Sequence, residues 1–237
     1  MMFENSPQLV SRVDLNRVSI RNLALENVSL TAKRDGALRF MEQYDPPTAR
    51  HQRLVNGMTI YLGRNILHIN PPDLKDLDDT SALHDMGKFF VPISYLHVAS
   101  YTSLTPAQIA ERKRHIEYSA EIVEQLGFPA RVVRMVRFHE AQFDKIKGHK
   151  DLYSKGFFLP SLLRVADILA ASHEHPMKYG KEGGTSSVLS ELFEKISQGE
   201  IQDGWRESIT DLLNEFGSHL PIIPQPQRGF VTAESSI

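Results

Sequence analysis

The chain has 237 residues, enough for one sizeable domain, and its 41% hydrophobic content suits a fold that buries a core, which excludes disorder throughout. Its 27 basic and 29 acidic residues nearly cancel, so no nucleic-acid groove or basic membrane-binding patch is expected, and DNA and membrane are set aside as partners. Cysteine is absent, which rules out disulfides and thiolate metal sites, so any metal must be held by nitrogen and oxygen.

The N-terminal stretch MMFENSPQLVSRVD lacks the basic-then-apolar pattern of a secretory signal, and a cytoplasmic protein is expected. Residues 13–30 place apolar side chains at a five-residue repeat, which fits neither a helix nor a simple strand. This reads as a short pentapeptide-like or irregular segment, and residues 1–44 as a non-helical N-terminal piece with a regulatory or packing role.

From residue 45 to about 217 the punctuation is helical. Thr48 is a candidate cap for a helix whose face carries His51, Leu54, Met58 and Leu62, and Asp79 or Thr80 for one that carries His84 and Asp85. Thr105, Pro106 and Gln108 form a capping box with proline in the first turn, and Gly127 with Pro129 closes that helix, which holds His115. The next helix, from about Pro129, aligns Val132, Val136, His139 and Phe143 on one face.

Residues 159–171, LPSLLRVADILAA, are apolar nearly all round, as in a central helix, yet hold Asp167. That helix lies in the most apolar part of the chain, GFFLPSLLRVADILAAS, which Pro160, Arg164 and Asp167 interrupt too often for a membrane span. Two amphipathic helices are expected over 186–197 and 205–216, and residues 218–237 form a proline-rich tail. No stretch of 46–217 alternates over a strand's length, so the domain is expected to be all-α.

Five of these helices set a potential metal donor on or beside an apolar face: His51, the pair His84 and Asp85, His115, His139 and Asp167. A buried carboxylate costs several kcal/mol unless it is paired or metal-bound, so Asp167 demands a partner. His51, His84, Asp85 and Asp167 suffice for one ion. If Asp85 bridges through its second oxygen, His115 and His139 complete a second, and a pair of ions about 3.5–4 Å apart clamps a phosphate and activates a water. The remaining histidines, His68, His97, His149, His173, His175 and His219, are read as surface residues.

The ordered set H, HD, H, H, D resembles that of the HD-domain phosphohydrolase superfamily, and the flanking text is similar to its HD-GYP branch, which hydrolyses cyclic di-GMP. The matching stretches are DPPTARH at 45–51, LHDMGKFFVP at 83–92, LTPAQIAERKRHIEYSAEIV at 104–123 and VADILAASHEHPMKY at 165–179. The resemblance implies an HD-domain helical bundle with a binuclear site. His51, His84, Asp85 and Asp167 would surround one metal, and Asp85, His115 and His139 the other. Iron or manganese is expected, with zinc and nickel as alternatives, and a metal-bridging hydroxide as nucleophile.

Lys88 corresponds to a lysine near the scissile phosphate, for substrate binding and charge stabilisation or leaving-group assistance. The substrate would be cyclic di-GMP or a related nucleotide phosphoester, and a signalling partner or an oligomer would fit. The branch motif HHExxDGxGYP reads FHEAQFDKIKG here: Phe138 replaces its first histidine, Asp144 comes one place late, and GYP is missing. Pro47 stands where some members carry a glutamate for a third metal. A catalytically inactive binder of the dinucleotide or of a protein is the alternative.

Overall fold

A computed structural model describes residues 27–98, 103–174 and 184–207, together with residues 22 and 210. Helix α1 (Leu30–Tyr44) starts where the Ser29 hydroxyl accepts from the Ala32 amide at 3.2 Å. Residues 30–44 were expected to be non-helical and to precede the domain, but α1 buries Ala37 and Met41 in the common core. Most of the five-residue repeat over 13–30 lies outside the described residues.

Asp45 ends α1 and begins α2 (Pro46–Tyr61): its carboxylate accepts from the Thr48 amide and, at 2.7 Å, from the Thr48 hydroxyl. Thr48 is therefore a donor inside the first turn, and Asp45 holds the capping position expected of it. A single wider π-turn, Leu62–Ile66, continues α2. Helix α3 (Pro71–Leu83) is capped by Asn70, whose side chain accepts from the Asp73 amide at 3.0 Å, so Asp79 and Thr80 lie well inside it. Both starts share a polar cap followed by two prolines, which need no amide partner in a first helical turn.

A 3-10 turn (Met86–Phe90) and the short α4 (Ile93–Leu96) follow. The Thr105/Gln108 capping box opens α5 (Pro106–Lys113), and Arg114 separates it from α6 (His115–Gln125). Gly127, at φ 85°, turns the chain toward α7 (Ala130–Arg137) and α8 (Phe143–Ile146). One small antiparallel hairpin, β1 (Tyr153–Ser154) with β2 (Phe157–Phe158), was not expected; Lys155 and Gly156, both at positive φ, make its two-residue turn.

Helix α9 (Leu159–Glu174) runs through the middle of the bundle. Leu162, Leu163, Val165, Ala166, Leu169 and Ala170 are all buried on it, which is why its apolar residues surround the axis. It packs on α2, while α6 packs on the 3-10 turn and α7, and α3 lies against α2 and α7. Helix α10 (Gly184–Ser197) covers α9, and of the helix expected over 205–216 only residues 205–207 and 210 are described, with Trp205 buried. No described helix is long and apolar enough to cross a membrane.

Arg131 fastens the start of α7 to α3. Its guanidinium donates to Asp73 and, at 2.7 Å, to Asp76, and also to the Asp151 carbonyl at 2.7 Å. Arg131→Ala leaves two half-buried carboxylates on one helix turn without their cation. Urea denaturation is expected to show a loss of about 1–3 kcal/mol.

Candidate metal centre

The six donors cluster because helix ends converge. His84 follows the last residue of α3, His115 opens α6 and His139 lies just past the end of α7. His139 was expected on the helix face with Val132, Val136 and Phe143, but α7 stops at Arg137, so Phe143 starts a separate helix. Only His51, in α2, and Asp167, in α9, come from helix interiors.

Those helix ends also orient the rings. The Nδ1 of His84 lies 2.8 Å from the Ser81 carbonyl, that of His115 2.8 Å from Arg112, and that of His139 2.6 Å from Val136. Each carbonyl lies in the last turn of a helix, and that of Val136 also accepts from the His139 amide at 3.4 Å. Donation from Nδ1 fixes the tautomer and leaves Nε2 as a lone pair, as in metal-ligating histidines. The Nε2 atoms of His84, His115 and His139 are buried and have no hydrogen-bond partner. Three orphaned lone pairs in one place fit a cation, since a buried polar atom left unpaired is otherwise costly.

The donors fall into two triads, His51 with His84 and Asp167, and Asp85 with His115 and His139; within each, the donor atoms lie within 4.8 Å of one another. Asp85 stands between them. Its Oδ2 is 3.4 Å from His84 Nε2 and its Oδ1 is 3.3 Å from His115 Nε2, so its two oxygens face different triads. Imidazole and carboxylate donors of this kind suit zinc, iron, manganese or nickel.

The charges are sorted by the same packing. Burial, reinforced by the neighbouring His84, pushes His139 down to about 4, and burial also lowers His84, so both rings are neutral at ordinary pH. Burial would raise Asp85, but Lys88, His84 and His115 outweigh it and hold the carboxyl well below its usual range. Burial likewise opposes the charge on Lys88, yet its ion pair with Asp85 keeps the ammonium protonated. Asp167 is held low against burial by His51 and by Arg164, whose Nη1 is 3.1 Å from Oδ2.

His51 lies between two carboxylates, with Nε2 2.9 Å from Asp167 and Nδ1 2.7 Å from Glu174. Burial works against its charge, but the two hydrogen bonds raise it to about 10. Because this lies above the ordinary 6.5, the stabilisation from protonated His51 is complete below about pH 6.5 and is lost as pH rises toward 10. The melting temperature of protein held in chelator is expected to fall across that window, and His51→Ala to flatten the fall.

Glu140 and Glu174 escaped the sequence reading. Glu140 directly follows His139, and its Oε1 is 3.8 Å from His115 Nε2. Glu174 is at i+7 from Asp167, the spacing of one helix face, so the signal was present. Phe138 offers no donor; its ring lies 4.8 Å from that of His149 and packs on the core. His97, read as a surface residue, is exposed, and it also bonds the buried Asp45 at 2.8 Å.

No protein-family profile and no curated protein matches the chain. Among solved structures, the HD domain of the L. monocytogenes phosphodiesterase PgpH, in complex with cyclic-di-AMP, superposes with a TM-score of 0.56. The fold is that of an HD domain. The two chains are 14% identical, and the match covers 78% of this chain and 99% of the PgpH domain. At that identity the shared property is the bundle itself, and the His/Asp cluster in it is this chain's own observation.

Proposed function

We propose that this chain is a metal-dependent phosphodiesterase that opens a cyclic dinucleotide. The observation that carries the proposal is the place of Asp85, with one oxygen toward each donor triad, beside three buried imidazole nitrogens that lack partners. That arrangement suits two ions sharing one carboxylate. Divalent ions held there would supply Lewis acidity and a water of lowered pKa for attack on phosphorus.

The side chains divide the remaining work. His51, His84 and Asp167 would hold one ion, His115 and His139 the other, and Asp85 would serve both. Lys88, whose ammonium is already drawn against Asp85, stands at the edge of the donor set with a positive charge for the non-bridging phosphate oxygens. The text around LHDMGKFFVP favours cyclic di-GMP, whereas the PgpH domain binds cyclic-di-AMP. Protein loaded with manganese or iron under anaerobic conditions is therefore offered both, with the linear product resolved by chromatography. Turnover of at least one is expected; none of either by protein shown to contain metal sinks the proposal.

A second reading rests on Phe138. With no donor at that position, the second group among the described residues is Asp85, His115 and His139, and a protein that binds the dinucleotide without cleaving it would tolerate a weak second site. Calorimetry separates the two readings: tight binding with the dinucleotide recovered intact favours the binder.

A further inference from the structure

Four imidazoles line the site, and one is held differently from the others. His84, His115 and His139 give Nδ1–H to carbonyls that lie three residues earlier, in the last turn of a helix that is ending. His51 is within α2, where neighbouring carbonyls are taken by the helix's own hydrogen bonds. No main-chain acceptor of that kind is on hand. Its Nδ1 meets a carboxylate instead, Glu174 Oε2 at 2.7 Å.

Glu174 ends α9 and shares a face with Asp167. One helix thus grips both nitrogens of His51: Asp167 Oδ1 is 2.9 Å from Nε2, and Glu174 is on the far side of the ring. Arg164, one turn before Asp167, fixes that carboxylate in turn through its other oxygen. Arg164, Asp167, His51 and Glu174 form a row of alternating charge. Without Glu174, only Asp167 holds the ring, through Nε2, and Nδ1–H has no side-chain acceptor to keep that proton off the nitrogen that faces the site.

We propose that Glu174 is a positioning residue for His51 as a metal ligand. With its Nδ1 proton held by Glu174, the ring has one nitrogen that can take a cation in exchange for the proton it shares with Asp167, Nε2, which faces Asp167 and His84. The carboxylate also raises the basicity of the ring, as partners of metal-bound histidines do. This inference rests on the metal-binding part of the proposed function and is independent of which phosphoester is cleaved.

The test is manganese(II) titration of the full chain, with free ion read by electron paramagnetic resonance, alongside melting curves in chelator. Glu174→Ala is expected to weaken one class of site by about 10- to 100-fold and leave the other unchanged. Glu174→Gln keeps an oxygen acceptor for Nδ1–H and is expected to lose less than about 10-fold. Glu174→Leu, close to glutamate in volume, replaces the alanine variant should that one not fold. A purely structural role lowers the melting temperature of all variants and leaves manganese affinity at the wild-type value, which overturns the inference. A wild-type chain that binds no manganese overturns it together with the proposed function. Binding without turnover leaves it standing and removes only the phosphodiesterase reading.

Discussion

Asp85→Asn is expected to reduce turnover by about 10³-fold, equivalent to roughly 4 kcal/mol of transition-state stabilisation, while the protein stays folded. Asparagine keeps the shape but has one oxygen, and Asp85 uses two, one 3.4 Å from His84 Nε2 and one 3.3 Å from His115 Nε2. The new amide nitrogen cannot ligate, and the substitution removes the negative charge that would offset the two cations of the proposed site. In the metal-free protein the amide N–H can donate to one of the imidazole nitrogens that are unpartnered in the native site, which partly offsets the ion pair lost by the largely buried Lys88, and stability is expected to fall by about 1–3 kcal/mol. Metal analysis after gel filtration is expected to fall from two equivalents to one or fewer. Two tightly held ions with unchanged turnover would show that Asp85 does not bridge.

Part of this site is legible in the amino-acid sequence because metal chemistry restricts residue type as well as spacing. A histidine or an aspartate among valines and leucines is conspicuous, and His51, His84, Asp85, His115, His139 and Asp167 were expected on that ground and are brought together. The helical domain was legible for a similar reason, since the capping box at Thr105 and the apolar run around Asp167 are local signals. Errors arose where two local signals competed. Asp45-Pro-Pro and Asn70-Pro-Pro are helix starts, but Thr48, Asp79 and Thr80 also have capping side chains and drew the reading inward.

Other features have no local signature. Periodicity carried α7 past its end at Arg137, because nothing in RFHEAQF stops a helix by itself; the turn is fixed when His139 Nδ1 takes the Val136 carbonyl. The helix over 30–44 was hidden by the repeat before it, although Ser29 is an ordinary cap. Glu174 acts through His51, a residue 123 positions away, so its role depends on the packing of α9 against α2. Gly87 belongs to the same class, and it has the larger structural consequence.

Gly87→Ala is expected to cost more than 3 kcal/mol and to empty the Asp85 triad of metal. Gly87 sits one residue before Lys88 in the 3-10 turn, where its amide donates to the Ser119 hydroxyl at 2.7 Å. A methyl group there would fall on the His115 carbonyl oxygen, 2.5 Å from the Ser119 amide nitrogen and 2.8 Å from the Tyr118 Cβ. Two of those atoms are backbone of α6 and cannot swing aside as a flexible side chain would. The turn and α6 must separate, and they carry Asp85 and His115, whose donor atoms are 3.3 Å apart. Glycine is therefore required by close approach, the reason that backbone elements meet tightly at such residues. Urea denaturation reads the stability loss, and metal analysis of the fraction that folds reads the site. A variant of native stability that holds its full complement of metal would mean that the turn can shift without cost, and that the spacing of Asp85 and His115 is not set at this contact.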